Sequence, residues 1–481
     1  MKTKKYTSYI LYILSIIIVL SGIWIMKYFD NPTFEQILYH IYTPIKGTDL
    51  RIIFDYCLYC LLIPCLIVLL LFIFKKVINK LFEKTWVRNI ALISSIFVLF
   101  GSTYFFLNHI GCISYFTVQR EESTFIEENY IAPPDVTLTF PKEKRNLIVL
   151  YLESMESSFS ETKKGGLFTT NYIPNLTKIA NDNISFSNNK KLGGANWIYG
   201  TGWTTAGLVN TIAGIPIKTP FSGDAANENP FSFPKISTLG EILDKAGYKE
   251  KLILGSEADF GGINDFFTNH GNFEIYDIET AKKSGYLDNN NSSSWGLQDK
   301  ALFEYAKNDL SELSKTDTPF YYNIITIDTH APSGYTSSDC KNSYKDKYAN
   351  AISCSDKHVS DFVNWIKEQD FYSNTTLVIM GDHLSMNGDF FKKVDASNRR
   401  IYNAFLNSAA TTKNTKNREF YQMDYFPTIL ASIGVKIVGE RLGLGTNLFS
   451  DEQTLIEKYG YDEVNSNLSK YSKFYIDNIL Y

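Results

Sequence analysis

NLIVLYLES, residues 146–154, runs unbroken through apolar side chains from Leu147 to Leu152 and then stops on a carboxylate, Glu153. A strand with one wet face alternates apolar and polar residues. A continuous run this short therefore marks a strand covered on both faces. Three runs of the same type follow: YKEKLILGS (248–256), PFYYNIITIDTH (319–330) and TTLVIMGDH (375–383). Amphipathic stretches separate them, among them ISTLGEILDKAG (236–247) and KYANAISCSDKHVSDFVNWIKEQ (347–369). Buried strands alternating with helices predict an α/β domain, built on a largely parallel sheet flanked by helices. The run LDNNNSSSW (287–295) reads as a surface loop or insertion, and no internal repeat is apparent.

Ligands gather at the carboxyl ends of the strands in such sheets. Those ends hold Glu153, then Asp328 and His330, then Asp382 and His383. One terminal Asp is ordinarily a helix cap. Acids and imidazoles at three strand ends instead point to one crevice and a four-ligand site for a divalent ion. Asp382 and His383 are adjacent, and neighbours on a regular strand point to opposite faces. Both can serve one metal only where the strand has ended, and Gly381 is expected to let the chain turn there.

The chain is divided at about residue 120. Residues 1–110 contain three apolar spans, 9–26, 52–74 and 90–107, each near the ~20 residues that cross a bilayer. Lys2, Lys4 and Lys5 precede the first span as in a signal peptide, but no small-residue cleavage site follows, so an uncleaved anchor is expected. Lys75, Lys76, Lys80, Lys84 and Arg88 crowd the second connection, against Lys27, Lys46 and Arg51 in the longer first one. The positive-inside rule then puts the N-terminus in the cytoplasm and everything after about residue 110 outside. A multi-pass protein of a bacterial inner membrane, with an extracytoplasmic domain, is the expected layout.

Asp55, near an end of the second span, is expected to snorkel to the interface. Cys57, Cys60 and Cys65 lie within that span as small apolar residues. Cys340 and Cys354 are free to pair in an oxidising compartment, or to remain thiols. Residues 111–145, rich in charge and proline, read as a connector, 146–450 as the catalytic domain and 451–481 as an extension. A net charge of −4 gives no basic surface for nucleic acid.

The stretch GANWIYGTGWTTAGLVNTIAGIPIK (194–218) places Thr204 and Thr205 at a helix start behind a glycine-rich bend. A hydroxyl there can cap the helix. It can also be a nucleophile, because a helix N-terminus favours an alkoxide and a phosphate. The segments LYLES, GTGWTTAGLVNTIAGIPI, GDHLSM and MDYFPTILASIG resemble the phosphoglycerol transferase branch of the alkaline phosphatase superfamily, with its sulfatase-like fold. The resemblance covers about residues 145 to 450. It implies Glu153, Thr204, Asp382 and His383 as metal ligands, Thr204 as nucleophile with Thr205 as the alternative, and His330 as the histidine that contacts the transferred group.

One divalent ion is implied, Mn²⁺ first, with Mg²⁺ or Zn²⁺ possible. Lipoteichoic acid synthases of that group use a Trp and an Arg after the second sheet strand. Here GSEADFGGINDFFTNHG (255–271) has neither and looks more like the periplasmic-glucan branch. Asp259, Asn264 and His270, with Trp203, are then the candidate substrate contacts. The implied reaction moves glycerol phosphate from phosphatidylglycerol to an extracytoplasmic glycan or polymer, through a phosphoglyceryl-threonine, at a membrane surface. The alternatives are a phosphoethanolamine transferase, a plain hydrolase, or a non-catalytic protein that binds a surface polymer. The last predicts a degraded ligand set.

Overall fold

The structure, a computed structural model, describes residues 2–74, 77, 80, 84–220, 231–288 and 290–481. The chain forms two compact units: residues 1–37 with 48–119, and residues 38–47 with 120–481.

The first unit holds three helices long and apolar enough to cross a membrane, Tyr6–Tyr28, Leu50–Leu71 and Thr85–His109. Helix α1 (Lys2–Tyr28) contains the first. After α2 (Phe34–Tyr42), the second runs from α3 (Leu50–Tyr56) through a π-helical stretch (Cys57–Leu62) into α4 (Ile63–Ile73). The third is α5 (Thr85–His109). Small polar side chains, Ser15, Ser95 and Ser102, are buried while Phe97 and Phe100 are exposed. That is the inverse of a water-soluble bundle, and it suits helices whose outer solvent is lipid. Tyr12 joins α1 to α5 through Ser94 Oγ at 2.6 Å. Lys75 and Lys76 of the basic connection lie outside the described residues.

The second unit is built on a six-stranded sheet of order β4-β3-β5-β2-β6-β7. The strands are β2 (Asn146–Leu152), β3 (Lys249–Leu254), β4 (Phe273–Tyr276), β5 (Phe320–Ile325), β6 (Thr375–Gly381) and β7 (Asn403–Leu406), and β1 (Leu138–Thr139) lies outside this sheet. All neighbours are parallel except β7, which runs antiparallel to β6. The apolar runs explain the layering. Leu147, Val149 and Tyr151 of β2 enter one core, Ile148, Leu150 and Leu152 the other, and all six are fully buried. Each such aliphatic side chain contributes roughly 1.5–3 kcal/mol of transfer free energy.

Helices α8 (Pro174–Asp182), α13 (Asp299–Leu313) and α14 (Lys347–Lys367) cover the second core. Helices α9 (Thr204–Ala213) and α15 (Tyr425–Ser432) cover the first. Between these, α6 (Cys112–Val118) and α7 (Phe125–Asn129) precede the sheet, and α10 (Leu239–Lys245), α11 (Ile263–Asn269) and α12 (Ile278–Lys283) flank β3 and β4.

The domain boundaries differ from the expected 146 and 450. The connector is packed from residue 120: Phe125 and Ile126 are buried, and Leu138 pairs with Ile437. Val464, Leu468, Tyr475 and Ile479 of the supposed extension are buried in the first core. Proline and charge made 111–145 look unpacked, although its few apolar residues find partners far along the chain. Cys340 and Cys354 are joined in a disulfide.

Candidate active site

Four of the expected residues converge at the carboxyl end of the sheet. β2 ends in Glu153 and β6 in Asp382 and His383, and these are neighbouring strands with Leu152 opposite Gly381. Ligand atoms of Glu153, Asp382 and His383 lie within 4.8 Å of one another. Thr204 is the first residue of α9, and the extended Trp203 before it makes no side-chain cap. The Thr204 hydroxyl is therefore no N-cap. It donates to Glu153 Oε2 at 3.2 Å and lies 3.4 Å from His383 Nε2.

Two glycines permit this approach. A Cβ on Gly207 would sit 2.0 Å from the Asp382 carbonyl oxygen, so only glycine lets α9 press against the end of β6. Gly381 is the last residue of β6, and the chain bends at Asp382 and His383 without a positive φ at the glycine. It supplies room: a Cβ there would lie 2.0 Å from the Met155 carbonyl oxygen. The left-handed conformation falls instead on Ser154, with φ of 53°. Such a conformation costs a non-glycine residue of order 1–3 kcal/mol. It aims the Ser154 N–H at Asp382 Oδ1, 2.7 Å away, and the hydroxyl at Glu153 Oε1, 2.6 Å away. Ser154 is a site residue that sequence reasoning missed, since nothing in LYLES marks a strained position.

The electrostatics are those of a cation site. Asp382 Oδ1 accepts from Ser154 and from the His383 N–H at 2.8 Å, while Oδ2 is buried with no hydrogen-bond partner. Burial, and then the negative Glu153 beside it, push the Asp382 carboxyl up to about 7 against the opposing pull of His383. Burial acts to lower the His383 imidazole, but Asp382 and Glu153 outweigh it and the net shift is upward. His383 Nδ1 is 2.7 Å from the Leu384 carbonyl oxygen, so Nδ1–H donates there and the Nε2 lone pair faces the carboxylates. Two buried carboxylates, an orphaned oxygen, an oriented imidazole and a hydroxyl fit a divalent cation.

The other expected residues divide. His330 lies just past β5, and its neighbour Thr329 donates to the Glu153 carbonyl oxygen. Its Nδ1 is 2.8 Å from the Ala331 carbonyl oxygen, and its ring packs on Trp295 at 4.0 Å. Asp328 does not join the cluster. It caps α13 by accepting from the Asp299 N–H at 3.1 Å, and Asp299 returns a bond from the Asp328 N–H. Thr205, the alternative nucleophile, is buried and donates to the Gly261 carbonyl oxygen at 3.0 Å. Asp259 is half-exposed and bonds Asn264 at 3.1 Å and Lys46 at 3.3 Å.

His270 is misplaced as a substrate contact. It is buried with Nε2 2.6 Å from the Ser232 carbonyl oxygen, beside the start of β4. Helix α11 carries the chain from the carboxyl end of β3 back to the amino end of its parallel neighbour β4, and His270 lies at that end of the sheet, away from the cluster. Trp203 is buried against Tyr39, with ring centroids 5.0 Å apart.

This α/β domain with a carboxylate, imidazole and hydroxyl cluster at its strand ends matches the sulfatase family over residues 145–435, and the chain belongs to that family. Among curated proteins it is similar to phosphoglycerol transferase I of Escherichia fergusonii, 30% identical over 321 residues, covering 65% of this chain and 40% of that protein. The same-named protein of Salmonella choleraesuis is 29% identical over the same coverage. The chain thus spans about two fifths of the length of these relatives.

Among solved structures, the membrane protein lipooligosaccharide phosphoethanolamine transferase A of Neisseria meningitidis superposes with a TM-score of 0.54 at 13% identity, covering 89% of this chain and 84% of that one. The lipoteichoic acid synthase of Listeria monocytogenes gives 0.51 at 19% identity, covering 68% and 82%. At these identities the likeness is one of fold.

Proposed function

We propose that this protein is a membrane-anchored transferase that moves glycerol phosphate from phosphatidylglycerol to a hydroxyl of an extracytoplasmic glycan or polymer. The observation that carries this reading is the Thr204 hydroxyl, held at a helix start between Glu153 Oε2 and His383 Nε2 rather than used as a cap. The curated relatives named phosphoglycerol transferase I support the head group. Three apolar helices support a site within reach of lipid, and the basic residues of the second connection support an outer-face location.

Glu153, Asp382, His383 and Thr204 Oγ1 would hold the ion, Mn²⁺ first among hard cations given the oxygen-rich set. A divalent ion there supplies charge neutralisation and a lowered hydroxyl pKa. Thr204 Oγ1 attacks phosphorus, forming a phosphoglyceryl-threonine as the bond to the diacylglycerol oxygen breaks. The start of α9 favours the negative charge that develops. The Thr204 proton goes to solvent before the attack; His330, which enters protonated, gives its proton to the leaving oxygen and then takes the proton of the attacking acceptor hydroxyl. That second attack breaks the threonine ester, and Thr204 is restored.

Full-length protein in vesicles, supplied separately with head-group-labelled phosphatidylglycerol and phosphatidylethanolamine, tests this. Transfer of labelled glycerol phosphate, with a phosphoglyceryl adduct on Thr204 trapped in the absence of acceptor, is the expected result. Transfer of labelled ethanolamine phosphate alone would move the assignment to the other head group, and inertness towards both would end it.

A further inference from the structure

A chain of rings runs from Trp203, next to Thr204, round to His330. The His40 ring lies 6.4 Å from Trp203 and 6.1 Å from Phe260, nearly parallel to the latter. Phe260 meets Trp295 at 5.8 Å, and Trp295 meets His330 at 4.0 Å. His40 thus sits in a row of rings that begins at Trp203, the residue before Thr204, and ends at His330.

His40 belongs to residues 38–47, which lie between the first two apolar helices yet form part of the catalytic unit. That segment is fixed on both sides of His40. The Tyr39 hydroxyl donates to the Gly261 carbonyl oxygen at 2.6 Å, and its ring packs on Phe231 at 4.4 Å. The Gly261 N–H donates to the Pro44 carbonyl oxygen at 3.1 Å, and Lys46 pairs with Glu257 and Asp259. Among the described residues, no hydrogen bond to protein engages either nitrogen of His40. Burial, and then His330 nearby, hold its imidazole down to about 4, so it stands neutral with one donor and one acceptor.

We propose that His40 determines donor specificity by hydrogen-bonding a hydroxyl of the polyol esterified to the phosphate, opposite His330. This rests on reading the site as a glycerol phosphate transferase. The neutral imidazole offers one N–H donor and one lone pair, and a hydroxyl, donor and acceptor at once, can pair with either nitrogen. Screened by Trp203, Phe260 and Trp295, the bond discriminates more than it would in open water.

The test uses full-length protein in vesicles with two donors, phosphatidylglycerol and phosphatidylpropanol, the second lacking both head-group hydroxyls. His40→Phe keeps the ring packing and removes the nitrogens, whereas His40→Gln keeps hydrogen-bonding capacity. Wild type is expected to prefer phosphatidylglycerol by roughly 10- to 100-fold in kcat/KM. His40→Phe should collapse that preference to within about threefold, and His40→Gln should restore most of it. Thermal melting of each variant checks the fold. An intact preference in His40→Phe, or an equal fall on both donors, overturns the role of His40 while leaving the transferase reading standing. Wild-type inertness to phosphatidylglycerol removes both.

Discussion

At the scale of single residues, the two threonines of GWTTA have opposite fates although nothing local separates them. Thr204 faces two metal-type ligands, and Thr205 is tied to the Gly261 carbonyl. Thr204→Ala is therefore expected to lower head-group transfer by at least ~10³-fold with an unchanged melting temperature. Thr205→Val should instead retain most activity with only a small fall in melting temperature, corresponding to about 1 kcal/mol or less, because the Gly261 carbonyl loses the Thr205 donor but keeps the Tyr39 hydroxyl. Equal losses of transfer in both would contradict the assignment.

Asp382→Asn keeps the volume and removes a charge from the site. Its Oδ1 role towards Ser154 can survive in the amide, so the fold is expected to persist while bound metal falls below stoichiometric and turnover drops by orders of magnitude. Metal analysis and circular dichroism on the same preparation separate those two outcomes. The residue types here were readable from the sequence, because acids and imidazoles at strand ends have few bland explanations. Asp328 shows the limit: the same residue type at the same kind of place turned to cap a helix.

At the scale of elements, the approach of α9 to β6 is set by Gly207. Gly207→Ala would drive a methyl into the Asp382 carbonyl, and α9 must retreat and take Thr204 with it. Both stability and transfer should fall, the latter by more than the melting shift explains, and a variant with wild-type turnover would show that the helix has freedom the packing denies.

The joint between β5 and α13 carries a pH dependence. Burial, with the negative Glu153 adding to it, raises Asp299 to about 7, and burial followed by the charge of Asp299 holds Asp328 well above the usual carboxylate range. In the unfolded chain both lose their protons near the model-peptide value of about 3.9. The folded state binds more protons between there and neutrality, so this contribution to stability is complete at low pH and is lost as pH rises through about 7. Asp328→Asn retains the oxygen that caps α13 and removes the second charge. The drop in melting temperature from pH 5 to pH 8, measured with chelator present, should be smaller in the variant than in wild type.

At the scale of the whole molecule, the catalytic unit reaches back to residue 120 and on to residue 481, and it borrows residues 38–47. A truncation starting at residue 120 is expected to fold and bind metal, with slow turnover of dispersed lipid because Tyr39 and His40 are missing. One starting at 146 should aggregate, since it strips Phe125, Ile126 and the Leu138–Ile437 pairing from the core. Solubility of the shorter piece would restore the original boundary.

These boundaries show where sequence reasoning stops. Runs of apolar residues determine strands, spans and the α/β class by themselves, because periodicity and length are properties of contiguous residues. The ligand types at strand ends follow from the same runs once the sheet is known to be parallel. Which of those ligands face one another was decided only when the chain closed, by strand order, by a left-handed Ser154 and by glycines that allow backbone contact. His40 entered the site, and His270 left it, for the same reason. Each position depends on packing between segments far apart in the chain, and no local pattern encodes the partner across that distance.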